Sequence, residues 1–157
     1  MDKQEKNQSG VLMKGTLKGV FGSSIDKSVI TSIIFEKQTE NLPDYAWDVS
    51  AAKDQSVMAW EKDGILYICG KETIKANPNC ASLFSCYENL ESIDFGNMFD
   101  TSDVTIMRNM FGKCSNLIIL DVSGFDTRNV TDMSGQCLVH VLNCRSWMSV
   151  DFVQETY

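Results

Sequence analysis

The sequence predicts a mainly β fold with short helical turns, in which a β-rich N-terminal cap precedes a short leucine-rich-repeat solenoid. Three observations predict it. A unit of about 26 residues is written twice between positions 81 and 135, each copy carries an apolar Leu-x-x-Leu-x-Leu spacing, and the chain before them is rich in β-branched residues.

Residues 1–15 are polar and are expected to form a disordered leader. The β-rich cap is assigned to residues 16–80. Within it Val29-Ile30-Thr31-Ser32-Ile33-Ile34-Phe35 reads as a strand, and Val57-Met58-Ala59-Trp60 as a short apolar one. Lys62-Asp63-Gly64 is a turn before Ile65-Leu66-Tyr67-Ile68, so Trp60 to Ile65 predicts a hairpin. A stacked array exposes an apolar end that must be covered, which is the role given to this region. Trp47 and Trp60 are accordingly expected in the core of the cap.

Residues 81–135 carry the repeat. Phe84, Leu90, Ile93 and Asp94 recur as Phe111, Leu117, Leu120 and Asp121, 27 positions on. Phe99-Asp100-Thr101, Val104-Thr105 and Met107 recur as Phe125-Asp126-Thr127, Val130-Thr131 and Met133, 26 positions on. A period in this range signals supersecondary units that bury a shared core. Leu90, Ile93 and Phe95, and then Leu117, Leu120 and Val122, would point inward from short strands. Met107 to Cys114 predicts one or two helical turns, with Met110 and Phe111 packed inward. The Asp and Thr positions suit side-chain-to-backbone hydrogen bonds at tight corners.

After Gly135 the pattern stops, and residues 136–157 form an atypical tail. Read from the third base of each codon, Asn143-Cys144 must give Leu and Trp147-Met148 must give Asp. These fall 7 and 11 positions after Gln136, as Leu117 and Asp121 follow Met110. Permitted codons complete a further repeat, so the tail is expected to be a third unit read out of frame and the chain a truncated one.

With these residues in view, "LFSCYENLESID" and "FDTSDVTIMRNMFGKCSNLIILDVSGFDTRNVTDM" resemble the BspA-like leucine-rich-repeat surface proteins of bacteria. "SVITSIIFEK", "AWDVSAAKDQSVMAW" and "ILYICGKETIKANP" resemble what precedes the repeats in that family, so the likeness spans about residues 28–135. It implies a cell-surface or secreted protein with an adhesive or host-protein-binding role. The N-terminus carries no signal-peptide h-region and no apolar run reaches membrane-spanning length. A chain expressed from this start is therefore expected in the cytoplasm.

Net charge is −7 at pH 7 with no basic stripe, which argues against a nucleic-acid partner. The six cysteines include no C-x-x-C pair, and His140 is the sole histidine, so no metal site or cofactor is expected and the thiols are expected to be free. The glycines of "SGVLMKG" and "GVFGSS" match no phosphate-binding fingerprint. The expected function is a non-enzymatic protein-interaction module with no catalytic residues and a protein ligand of unknown identity. Ser92, Asp94, Ile119 and Asp121 would face outward as its contacts. The rival reading is a small carboxylate-dependent hydrolase that uses Asp44, Asp48 and Asp54 of the N-terminal region.

Overall fold

The computed structural model describes residues 8–39 and 41–135. The first seven residues of the expected leader and the whole of the expected frameshifted tail lie outside the described residues. Eight strands carry the architecture of the described residues: β1 (Ser32–Lys37), β2 (Trp47–Asp48), β3 (Val57–Lys62), β4 (Ile65–Gly70), β5 (Ile74–Lys75), β6 (Ser92–Asp94), β7 (Phe99–Asp100) and β8 (Ile119–Leu120). Six form one sheet in the order β2-β3-β4-β1-β6-β8, and β5 pairs with β7.

The sheet is mixed. Neighbours β2, β3 and β4 run antiparallel, whereas β1 lies parallel to β4 on one side and to β6 on the other, and β8 is parallel to β6. The β3–β4 hairpin closes through Asp63 and Gly64, both at positive φ (53° and 83°), which matches the twist of the flanking strands. Matching positions of the two repeats lie side by side, as Ser92 against Ile119 and Ile93 against Leu120.

This corrects the expected fold class. The chain is mainly β, but the division into a cap followed by a leucine-rich-repeat solenoid does not hold. Strand β1 lies between β4 and β6, so the repeat strands extend the N-terminal sheet instead of stacking as a separate array. Of the expected short helical turns the described residues hold one, a three-residue 3-10 turn at Lys27–Val29, and none falls between Met107 and Cys114. Between Met107 and Cys114 the backbone of Asn109 (φ 51°) and Lys113 (φ 59°) is left-handed, which breaks any α-helical run. Tight turns bonded to the neighbouring repeat take its place: the Phe84 and Cys86 N–H groups donate to the carbonyls of Met110 and Gly112.

The inward face of the sheet is apolar at every second residue. Ile33, Phe35, Val57, Ala59, Leu66, Ile68, Ile93 and Leu120 are all buried. Phenylalanine rings connect this face to the repeats: Phe84 lies 6.2 Å from Phe35, 6.4 Å from Phe21 and 5.7 Å from Phe111, centroid to centroid. Near the N-terminus Val11 and Leu12 are buried, and the Leu12 N–H donates to Lys75 O. Lys27 is buried too, where its ammonium donates to Thr16 O and Ser85 O and lies 5.0 Å from the Tyr87 ring. Burial pushes the Lys27 ammonium below the usual lysine range.

Acidic residues turn the corners. The carboxylates of Asp94, Asp100, Asp121, Asp126 and Asp132 each accept the N–H two residues ahead. These short rings close bends that the backbone alone would leave with unpaired donors. Arg108 also holds Asp132 in a two-nitrogen clamp across the repeats.

Candidate functional site

Strand alternation that buries one face of the sheet turns a second set of side chains outward. Register aligns them in rows. Lys62, Ile65, Ser32, Ser92 and Ile119 cross β3, β4, β1, β6 and β8 in one row. Trp60, Tyr67, Ile34 and Asp94 form the next. The indole of Trp60 and the ring of Tyr67 stack with centroids 5.0 Å apart and planes within 11°, both half-buried. Ile34 and Ile65 are half-buried beside them, and Ile119 is 61% exposed, with its neighbour Ile118 at 55%.

Of the four sequence-predicted contacts, Ser92, Asp94 and Ile119 lie toward the β6–β8 end of these rows, and Asp121 follows β8 directly. Ser92 pairs directly with Ile119, and its hydroxyl shares a 3.2 Å hydrogen bond with Ser32. Asp94 and Asp121 are exposed, each with one oxygen accepting a turn N–H at 2.9 Å. Sequence reasoning missed the other end of the rows. Trp60 points away from the core because Val57 and Ala59 occupy the inward positions of β3. The alternation Val-Met-Ala-Trp carried that signal, but aromatic character outweighed it in the sequence reading. Trp47, in contrast, packs partly against the core and donates its indole N–H to Phe21 O.

The carboxylates of the rival reading serve a loop. Asp48 accepts from the Ser50 N–H, the Ser50 hydroxyl and the Gln55 N–H, while Asp54 accepts from the Ser56 N–H and hydroxyl. The Ser56 hydroxyl, then that of Ser9, holds the Asp54 carboxyl down at about 2, the reverse of what a general acid needs. Asp44 is exposed. Burial pushes the thiols of Cys69 and Cys114 up to about 11, so both are protonated at neutral pH. Cys69, Cys86 and Cys114 are free cysteines, and no cluster of metal-ligating side chains occurs among the described residues. No helix among them is long and apolar enough to cross a membrane.

A family model described as "Mycoplasma protein of unknown function, DUF285" matches residues 78–138, less than half of the chain. The match falls on the repeats and is compatible with the BspA-like resemblance of their motif. No curated protein and no solved structure matches the chain.

Proposed function

We propose that the chain is a non-enzymatic protein-interaction module and that its contact surface is the outward face of the six-stranded sheet. The observation that carries this reading is the row geometry. The outward face sets the stacked Trp60–Tyr67 pair in rows with Ile34, Ile65 and the exposed Ile119, with Asp94 and Asp121 exposed toward the β6–β8 edge. Aromatic anchors ringed by polar groups are the composition of energetically dominant contact patches. The acidic rim suits a partner that presents Lys or Arg next to an apolar patch. The likeness of the repeats to bacterial surface proteins supports an adhesive or host-binding role.

The test is biolayer interferometry of the full chain against a panel of purified host extracellular proteins. Binding that weakens roughly tenfold or more in both Trp60→Ala and Ile119→Asp supports the assignment, since central anchors typically contribute 2 kcal/mol or more. Binding indifferent to both substitutions would place the contact elsewhere. The hydrolase reading is tested separately with Asp44→Asn, Asp48→Asn and Asp54→Asn on generic ester, phosphate and glycoside substrates. An activity lost with these residues overturns the module reading.

A further inference from the structure

On the inward side of the β2–β3 edge, away from the proposed contact face, lies an open cleft of about 420 Å³ lined by Gly22, Ser23, Ser24, Ile25, Tyr45, Trp47 and Glu61. Its size falls within the range of small-molecule sites. Three separate elements build it, and each is held by its own hydrogen bonds. The turn at 20–25 is closed by Val20 N–H to Ile25 O at 3.0 Å and Ser23 N–H to Val20 O at 3.0 Å. The Ala46 N–H donates to Pro43 O at 2.9 Å, which fixes the turn that presents Tyr45. Glu61 Oε1 accepts the Gly64 N–H at 2.7 Å, which anchors the carboxylate at the β3–β4 hairpin. Little ordering remains to be done when a ligand enters.

The hydrogen-bonding inventory of the lining narrows the ligand. The Trp47 indole N–H is committed to Phe21 O at 3.1 Å, so the residue lines the cleft as an aromatic ring and brings no free donor to it. The Ser23 hydroxyl is likewise committed, donating to Val20 O and accepting from Ile25 N–H. Tyr45 is 59% exposed and makes no ring contact with Trp47 among the described aromatic pairs. The lining contains one carboxylate and neither Lys nor Arg. Such a site repels anions and offers few donors to a sugar. Two aromatic surfaces with one carboxylate attract an organic cation.

We propose that the Tyr45–Trp47–Glu61 cleft binds an alkylammonium group, with the rings contacting its methylene or methyl surface and the Glu61 carboxylate facing its charge. This site is independent of the sheet-face reading and stands or falls without it.

The experiment is a titration of the full-length, ¹⁵N-labelled chain with tetramethylammonium chloride and with N-acetyl-lysine methylamide, followed by NMR at the Trp47 indole and the Tyr45 amide. Saturable shifts at both positions with either probe, weakened by added salt, are expected. Tyr45→Ala and Glu61→Gln should each weaken binding by about threefold or more, as exposed cation–π contacts and single ion pairs do. Glu61→Gln retains an oxygen for the Gly64 N–H, so it removes the charge and leaves the hairpin closed, while Lys71→Ala should change nothing. Phosphatidylcholine vesicles in a further arm separate a lipid headgroup from a soluble or peptide-borne ammonium as the source. Shifts produced by methyl glucoside and not by either cation, cation shifts that Glu61→Gln leaves intact, or no saturable shift at Trp47 would each overturn the proposal.

Discussion

Phe84 is where the two halves of the chain meet, and its substitution should show how much that meeting contributes. The ring is fully buried and has Phe21, Phe35, Phe95 and Phe111 around it. Phe84→Ala would leave a cavity among these rings, and a loss of about 3–5 kcal/mol is expected in urea denaturation. A second residue-scale expectation concerns acid. Hydrogen bonds, chiefly from the Ser56 and Ser134 hydroxyls, hold the carboxyls of Asp54 and Asp132 at about 2 in the folded chain. An unfolded aspartate titrates near 3.9. A carboxyl depressed by folding contributes stability that is complete above the unfolded value and is lost as pH falls through the folded one. The urea midpoint should therefore drop between about pH 4 and pH 2, and the Asp54→Asn, Asp132→Asn double variant should flatten that drop. The same slope in the double variant would assign the acid sensitivity to other groups.

At the scale of elements, the turn between β6 and β7 has a requirement that the repeat pattern hides. Gly96 sits at φ +55°, and a Cβ placed there would lie 2.7 Å from the carbonyl oxygen of Phe35 in β1. That oxygen belongs to the central strand and has little freedom to move. Gly96→Ala should destabilise the chain by more than the ~1–2 kcal/mol of the left-handed conformation alone, and a smaller shift in thermal denaturation would show that the turn can relax. The corresponding turn in the second repeat has Gly124, where a Cβ would meet nothing within 4 Å, so Gly124→Ala is the matched control. This asymmetry bears on what was legible in the sequence. Leu90, Ile93, Phe95, Leu117, Leu120 and Val122 were read as inward from spacing alone; five are buried and Phe95 is half-buried. Local periodicity reports which face of a strand is apolar, and here it did so correctly. It does not report which strand lies alongside. That β1 would insert beside β6 is a pairing between residues about 60 positions apart, and no short-range pattern encodes it. The outward aromatic pair was lost for a related reason, because Trp60 acquires its partner Tyr67 only once the hairpin register is set. That Asp94, Ile119 and Asp121 are exposed was legible because both repeats write these positions alike, whereas Ser92 is half-buried.

For the whole molecule, the sheet order makes a statement about cooperativity. In an array of independent units each repeat contacts only its neighbours, and opening can begin at one end and stop partway. Here β1 bonds to β4 and β6 at once, and Phe35, inward from β1, packs against Phe84, Phe95 and Phe99 of the first repeat. Opening β6 and β8 would strip one edge of β1 and expose rings from both halves, so partial opening costs nearly as much as complete unfolding. Hydrogen exchange followed by mass spectrometry over a urea series should therefore show peptides containing β4 and peptides containing β8 opening with a common free energy. Ile33→Ala, a fully buried change in β1, should lower both by the same amount, within the ~2–5 kcal/mol range of such truncations. If the β8 peptides exchanged at low urea while β3 and β4 stayed protected, or if Ile33→Ala moved only the N-terminal peptides, the repeats would be a separable unit and the continuity of the sheet would contribute little to its stability.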